Sequence, residues 1–225
     1  MDNSFIHAVI KILKKEVKKW KDPIVTRISM VRQAYHEDKK IPFKVLISCI
    51  LSLRTKDETT SAASQRLFSM ADTPETMVRL TKREIERAIY PVGFYRTKTE
   101  NILLLCRELI NRHNSRVPDT IDELLKFRGV GRKTANLVVT LGYKKPGICV
   151  DTHVHRITNR WGYVKTKTPE ETEFALREKL PPKYWLIINN LLVTYGQNLC
   201  KPISPYCSIC PLDRFCKRVG VDRSR

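Results

Sequence analysis

Apolar residues recur at helical spacing along most of this chain. Near its start, Ile6, Val9, Leu13 and Val17 fall on one helical face, with lysines on the opposite face. The same spacing predicts further helices over residues 22–35, 43–53, 62–70, 73–80, 82–89, 97–112 and 184–199, and another from residue 168. No segment alternates apolar and polar residues as a half-buried strand does. Short links between amphipathic helices therefore predict an all-α fold.

Two loops stand out against this helical pattern. The predicted helix over residues 43–53 is apolar on nearly every side, which indicates a central, buried position. It ends abruptly in polar residues that include Arg54, and polar side chains that leave a core often contact a ligand, although a plain cap and loop would look the same. A second loop, residues 90–95, carries Phe94, whose ring either packs back onto the core or is exposed for a purpose. Both loops are candidate ligand contacts.

Residues 120–143 predict two helices joined by a tight hairpin. Thr120 and Glu123 have the spacing of a capping box at the start of the first helix, which then stops at Gly129 and Gly131. A second helix begins directly after these glycines. Because glycine tolerates positive φ and the close approach of another backbone, the motif predicted here is helix, hairpin, helix.

The start of the second helix is rich in cations. Arg128, Arg132 and Lys133 flank the glycines, and the polar Thr134 follows them. A helix N-terminus presents free N–H groups and the positive end of the helix dipole, which suits a phosphate group. A plain connection between two helices is the alternative, because Gly-x-Gly alone is weak. The combination of glycines, cations and Thr134 favours an anion-binding hairpin.

Lys133 also has the features of a nucleophile. In the first turn of a helix, the positive dipole end disfavours the ammonium form and makes the neutral amine easier to reach. Asp151 follows the apolar residues 148–150 and is placed to cap another helix, where it would stay ionised. A solvated surface lysine is the alternative for Lys133 taken alone. Together the two residues predict an amine and a carboxylate that face one cleft.

The charge balance indicates the kind of partner. Of 225 residues, 42 are Lys or Arg and 23 are Asp or Glu, so the formal net charge is +19. Such an excess predicts a polyanionic partner, most simply nucleic acid, with an acidic membrane surface as the lesser option. No apolar run approaches the roughly 20 residues that cross a bilayer, and the N-terminus lacks the pattern of a signal peptide. We therefore expect a soluble intracellular protein.

The seven cysteines divide into two groups. Cys49, Cys106 and Cys149 lie in apolar segments and are expected to be buried thiols in a reducing compartment. The others form a C-x6-C-x2-C-x5-C array of Cys200, Cys207, Cys210 and Cys216. This proline-rich array predicts a metal centre, because it has too few apolar residues to fold alone. Disulfides are disfavoured inside the cell, and the spacing leaves both a structural zinc and an iron–sulfur cluster open.

The hairpin residues 127–136, followed by Asp151 within Val-Asp-Thr-His, resemble the signature of the endonuclease III family of DNA glycosylases. The C-terminal cysteine array also resembles that of the family, in which it binds a 4Fe-4S cluster. The resemblance extends over about residues 52–216 and departs at Phe127-Arg128, where the family often has Leu-Pro. It implies a 4Fe-4S cluster in this chain, whereas the cysteine spacing alone does not distinguish such a cluster from a zinc site.

The resemblance also implies how the chain is organised. A six-helix lobe is expected over residues 35–146, with the helix-hairpin-helix at about 120–143. Residues 1–34 and 147–225 are expected to form a second helical lobe with the iron–sulfur loop. The fold expected is thus all-α, with two helical lobes.

The function that the resemblance implies is that of a bifunctional DNA glycosylase and AP lyase of base excision repair, which removes oxidised pyrimidines from duplex DNA. Lys133 is then the nucleophile that forms a Schiff base with the sugar, and Asp151 stabilises the positive charge that develops there. Arg54, at a position that is often Gln, fills the gap left by the extruded base, and Phe94 is the intercalating wedge. The residues implied to contact DNA are Arg54, Phe94, Arg128, Gly129, Val130, Gly131, Arg132, Thr134, His153 and Lys201.

The expected partner is double-stranded DNA with damaged or abasic sites, and not a membrane. We expect a monomer, cytoplasmic and nucleoid-associated if the source is prokaryotic. One alternative is a mismatch-specific thymine or uracil glycosylase, although such relatives usually carry Tyr or Ser at the position of Lys133. The other is a non-catalytic iron–sulfur protein that binds DNA or senses redox state, which would leave Lys133 and Asp151 without a role.

Overall fold

The computed structural model describes residues 3–20 and 40–225 and shows a helical protein. Its helices are α1 (Asn3–Glu16), α2 (Ile41–Ser52), α3 (Asp57–Met70), α4 (Pro74–Met77), α5 (Lys82–Ile89), α6 (Tyr95–His113), α7 (Ile121–Leu125), α8 (Arg132–Leu137), α9 (Thr152–Arg160), α10 (Pro169–Lys179) and α11 (Trp185–Asn198). Within these described ranges no residue lies in a strand, and the predicted all-α fold is confirmed. The predicted helix over residues 22–35 and the predicted lobe boundary at residue 35 lie outside the described residues. None of the described helices is both long and apolar enough to span a bilayer.

The chain divides into two compact units, Ile24–Lys145 and Met1–Pro23 with Pro146–Arg225. The first unit is built around α2, whose residues 42–51 are all buried. Helices α3, α6 and α8 pack against it, together with the π-helical turn Val138–Gly142 that continues α8. The central, buried position expected from the apolar pattern of α2 is confirmed.

The second unit has its own hydrophobic core. Ile6, Val9, Ile10 and Leu13 of α1 are fully or almost fully buried there, together with Trp161 and residues of α9, α10 and α11. Helices α9 and α11 pack directly on each other, and α1 packs on α11. The apolar face of α1 therefore belongs to this core and is not free to lie on a membrane surface.

Most helices begin and end within a few residues of the positions predicted from the sequence. Three details differ, two in helix bounds and one in a helix cap. Helix α3 begins five residues before its expected start, where Asp57 and Glu58 place negative charge in its first turn. Helix α4 ends at Met77 instead of continuing to residue 80, because Thr81 begins α5 through a capping box with Glu84.

The third difference is the expected capping box at Thr120. Thr120 does occupy the N-cap of α7, but its side chain makes no capping hydrogen bond. The Glu123 carboxylate instead accepts a hydrogen bond from the Lys126 ammonium at 2.5 Å. The predicted box is therefore wrong, because the acid that would close it pairs with a lysine one turn further along.

Candidate active site and nucleic-acid interface

The hairpin between α7 and α8 has the geometry that its glycines predict. Gly129 has φ +83°, and a Cβ at this position would lie 2.9 Å from the side-chain amide nitrogen of Asn101. Glycine is therefore favoured there by its conformation, and a larger residue would also have to displace the end of the Asn101 side chain. Gly131 is the N-cap of α8 and supplies no side chain to the helix N-terminus. The turn thus leaves the start of α8 without a side-chain cap.

The residues predicted to flank this turn differ in exposure. Arg128 and Lys133 are exposed and Arg132 is half-buried, whereas the side chains of Val130 and Thr134 are buried, with Thr134 only 2% exposed. Val130 and Thr134 can therefore contribute to DNA binding through the backbone, and not through their side chains.

Lys133 lies on α8 beside the central helix α2. The buried thiol of Cys49 on α2 is close enough to feel the charge of Lys133, yet burial raises the pKa of the Cys49 thiol to about 12. Cys49 therefore stays a neutral thiol at physiological pH and adds no anion near Lys133. Its assignment to the core as a buried thiol agrees with the structure.

Asp151 directly follows the buried segment of residues 148–150 and is the N-cap residue of α9. Its Oδ1 accepts hydrogen bonds from the backbone N–H groups of His153 at 2.9 Å and Val154 at 3.0 Å. The predicted N-cap is therefore confirmed, and it holds in place a carboxylate that is only 8% exposed. His153 itself is half-buried, and its Nδ1 lies 3.0 Å from a guanidinium nitrogen of Arg156.

The structure brings the two predicted DNA-inserting side chains together. The guanidinium carbon of Arg54 lies 5.4 Å from the centre of the Phe94 ring, and Phe94 is 62% exposed. Both residues have left-handed backbone conformations, with φ +52° at Arg54 and +57° at Phe94. A Cβ on Gly93 would lie 2.6 Å from the carbonyl oxygen of Arg54, so glycine is needed for the two loops to meet. We call these two side chains the Arg54–Phe94 pair.

Two cations that sequence analysis did not single out support these loops. Arg66 donates from Nε to the Ala88 carbonyl at 2.8 Å and from Nη2 to the Tyr90 carbonyl at 2.6 Å. Lys98, on α6, is buried and donates to the end of α2. Both lie in ordinary helical patterns, so no local signal in the sequence distinguishes them from surface cations.

The cysteine array surrounds a cavity. The side chains that line this cavity include all four cysteines of the array, Cys200, Cys207, Cys210 and Cys216. Among the residues that the structure describes, no group of three or more His, Cys, Asp or Glu side chains is arranged to hold a metal ion. Four thiols that line one cavity form a donor set that fits an iron–sulfur cluster, in which each iron takes one thiolate.

Neighbouring side chains hold the array in place. The Tyr195 hydroxyl lies 3.0 Å from the Cys210 sulfur. Arg160, only 6% exposed, donates to the carbonyls of Lys201 and Pro202, each at 2.6 Å, and to the Cys200 sulfur at 3.4 Å. Lys201 is half-buried, with its ammonium 5.3 Å from the centre of the Tyr206 ring. Burial raises the pKa of the Cys210 thiol, so a bound metal is needed to hold it as a thiolate.

Comparison with known proteins places this geometry in context. Residues 47–182 match the family described as HhH-GPD superfamily base excision DNA repair protein. Endonuclease III of Thermotoga maritima is 49% identical over 176 residues, which are 78% of this chain and 83% of that protein. Endonuclease III homolog 2, chloroplastic, of Arabidopsis thaliana is 42% identical over 187 residues, which are 79% of this chain but only 48% of that protein.

Two solved structures share the fold. A non-covalent Endonuclease III-DNA complex superposes with a TM-score of 0.82 at 32% identity, over 97% of this chain and 96% of that chain. A trapped Endonuclease III-DNA covalent intermediate, an estranged-adenine complex, gives a TM-score of 0.76 at 34% identity, over 94% of this chain and 95% of that chain. The similarity therefore covers nearly the whole chain.

Proposed function

Because the chain belongs to the HhH-GPD superfamily of base excision DNA repair proteins and, within it, to the endonuclease III family, we propose that it is a bifunctional DNA glycosylase and AP lyase. The family resemblance noted in the sequence is confirmed. The observation that carries the proposal is the exposed residue Lys133 at the start of the helix that follows the Gly-x-Gly hairpin. Its substrates are oxidised pyrimidines and abasic sites in duplex DNA.

In this mechanism the Lys133 amine attacks the anomeric carbon of the damaged nucleotide. A carbon–nitrogen bond forms to lysine, the glycosidic bond breaks, and the base leaves with the bonding electrons. Loss of the amine proton and opening of the sugar ring convert the adduct into a Schiff base. This electron sink allows a proton to leave the neighbouring sugar carbon and the bond to the 3′ phosphate to break, which nicks the strand.

Asp151 has two roles in the proposal. Its carboxylate stabilises the positive charge that develops on the sugar as the base departs, and it accepts a proton from the attacking amine. The hydrogen bonds from His153 and Val154 keep one carboxylate oxygen fixed. The carboxylate therefore needs little reorganisation when positive charge develops on the sugar in the transition state.

DNA binding is assigned to the surfaces that carry the hairpin and the Arg54–Phe94 pair. The start of α8 and its flanking Arg128 and Arg132 would bind a backbone phosphate, while the Arg54–Phe94 pair would enter the base stack as the damaged nucleotide rotates out. His153 and Lys201 would add contacts from the other unit. The net charge of +19 supplies affinity that does not depend on sequence and weakens with salt. We further propose that the protein acts as a monomer.

The four cysteines of the array are proposed to bind a 4Fe-4S cluster. When bound, this group crosslinks a segment that has little hydrophobic core of its own. Arg160 and Tyr195 orient the segment through hydrogen bonds to its backbone and to Cys210. The role of the cluster in this proposal is structural.

The alternatives are less well supported. A mismatch-specific glycosylase and a non-catalytic iron–sulfur protein both leave the position of Lys133 unexplained. The curated relatives are endonuclease III proteins, and one solved structure of an endonuclease III is a covalent intermediate with DNA.

Strand cleavage tests the proposal. Duplex DNA with one oxidised pyrimidine should be nicked by the native chain, and Lys133→Gln should abolish the nick. Lys126→Gln is the matched control, because Lys126 is an exposed lysine beside the same hairpin and pairs with Glu123. It should cleave at a rate within about twofold of the native chain, as expected for a weak surface ion pair. Nicking by a pure Lys133→Gln preparation would contradict the proposal.

A further inference from the structure

Lys98 is a buried cation whose partners are all neutral oxygens. It is only 6% exposed, and its ammonium donates to the carbonyls of Leu51 at 2.8 Å and Leu53 at 2.6 Å and to the Thr55 hydroxyl at 3.2 Å. These contacts use the three donors of the ammonium group. Within residues 3–20 and 40–225, no carboxylate forms a salt bridge with it. A charge is seldom buried without an opposite charge, so this arrangement needs a reason.

The end of helix α2 explains how the charge is tolerated. The last carbonyl groups of a helix lack partners within the helix and form the negative end of its dipole. The ammonium of Lys98 supplies hydrogen bonds to two carbonyls there, at Leu51 and Leu53. Burial still disfavours the charged form of the side chain, and it lowers the pKa of Lys98 to about 8.

Lys98 also connects the two loops that carry the Arg54–Phe94 pair. Its side chain binds Leu53 and Thr55, the neighbours of Arg54 on either side. Its backbone N–H donates to the Phe94 carbonyl at 3.0 Å. The Thr55 hydroxyl, which accepts from Lys98, also accepts from the backbone N–H of Gly93 at 3.1 Å, so one network joins both loops.

Both members of the pair need such support. Arg54 and Phe94 adopt left-handed backbone conformations, which cost about 1–2 kcal/mol for residues other than glycine. Strain of this kind persists only where surrounding contacts hold it. The loops would otherwise relax and move the two side chains apart.

We propose that Lys98 is a positioning residue that holds Arg54 and Phe94 side by side, ready to enter the DNA base stack together. This inference rests on the proposed function, because the pair has a task only if the protein opens duplex DNA. Lys98 does not itself contact DNA or the reacting sugar. It sets the geometry of the side chains that do.

The test compares two DNA substrates and two buried lysines. Lys98→Met should lower the single-turnover rate of base release from duplex DNA with an oxidised pyrimidine by about 100-fold, as expected when inserting groups are misplaced by about 1 Å. Cleavage at an abasic site in single-stranded DNA should stay within about threefold, because no base stack has to be opened. Lys44→Met is the matched control: Lys44 is also buried, but it pairs with Asp72 at 2.9 Å. It should affect both substrates equally.

A second readout does not depend on the chemistry. 2-Aminopurine placed opposite the abasic site should brighten when the native chain binds and should stay quenched with Lys98→Met at saturating protein. Thr55→Val, which removes one acceptor of Lys98 at a half-exposed site, should show a weaker form of the same loss if Lys98→Met fails to fold.

The outcomes separate this inference from the proposed function. Equal loss on duplex and single-stranded substrates, or native 2-aminopurine brightening with both Lys98→Met and Thr55→Val, would overturn the role of Lys98. A native chain that cleaves neither substrate would overturn the proposed function instead, and the 2-aminopurine signal would still decide whether Lys98 positions the pair.

Discussion

Replacing Arg160 with methionine should loosen the cysteine array from the helix that supports it. The Arg160 guanidinium donates to the carbonyls of Lys201 and Pro202 at 2.6 Å each, directly after the first cysteine of the array. The backbone carbonyl of Arg160 accepts from Val219 at 3.1 Å, just beyond the last cysteine. Methionine keeps the backbone bond from Val219 but removes both guanidinium bonds to carbonyls and the longer one to the Cys200 sulfur at 3.4 Å. The two ends of the array are therefore perturbed separately.

The size of the effect follows mainly from the two lost bonds to carbonyl oxygens, because the bond to the Cys200 sulfur is long. Hydrogen bonds to a charged group contribute about 1.5–3 kcal/mol each. Pro202 is exposed and Lys201 half-buried, so water can replace part of what is lost, and no guanidinium then has to be buried. We therefore expect a loss of about 3 kcal/mol in the free energy of unfolding, which lowers the midpoint of thermal unfolding by about 6–12 °C for a chain of this size.

The assay is thermal unfolding followed by circular dichroism, with the iron content per chain measured on the same samples. Arg160→Met should show the lowered midpoint and reduced iron content. Arg223→Met is the control, because Arg223 is an exposed arginine of the same unit, and its midpoint should match that of the native chain. An Arg160→Met midpoint within about 2 °C of the native value would refute the assignment of these bonds.

Three further predictions concern single groups. Asp151→Asn should keep the N-cap of α9 but slow base release about 100- to 1,000-fold in single-turnover assays, because Asn caps a helix as well as Asp does yet carries no charge. Gly129→Ala should lower stability by about 1–2 kcal/mol in urea unfolding, because its φ of +83° disfavours a side chain. Because burial lowers the pKa of Lys98 from 10.5 to about 8, the unfolded chain binds more protons between these values, and this residue makes stability rise with pH there. Lys98→Gln should remove that rise in urea unfolding measured across the same range.

Each of these has a result that would count against it. Unchanged base release by Asp151→Asn would leave the carboxylate without a chemical role. Gly131→Ala is the control for Gly129→Ala, since its Cβ would meet nothing within 4 Å, and equal stability of the two variants would contradict the strain argument. Native and Lys98→Gln chains with parallel pH profiles would show that Lys98 does not titrate in this range.

Local sequence signals were sufficient for much of the fold and for part of the site. The apolar face of α1 and the burial of α2 follow from periodicity, which reports directly on which side of a helix meets a core. The cap at Asp151 could be predicted because an N-cap depends on residues only two or three positions away. The same reasoning was wrong at Thr120, where Glu123 had a second partner in Lys126 at equally short range.

What the sequence did not reveal depends on contacts between distant segments. Lys98 and Arg160 look like ordinary surface cations, and only the folded chain brings them to the carbonyl groups at residues 51–53 and 201–202. The positive φ angles of Arg54 and Phe94 were also invisible, because these residue types rarely adopt them. Chemistry-bearing residues were thus found by motif, whereas the residues that position them required the structure.

Borohydride trapping on duplex DNA with an abasic site tests the central claim most directly, because it captures the Schiff base itself. The native chain should form a covalent complex with the DNA, and Lys133→Gln should form none, while Lys126→Gln forms as much as the native chain. Absence of a complex with the native chain, or a persistent complex with Lys133→Gln, would contradict the claim that Lys133 is the nucleophile.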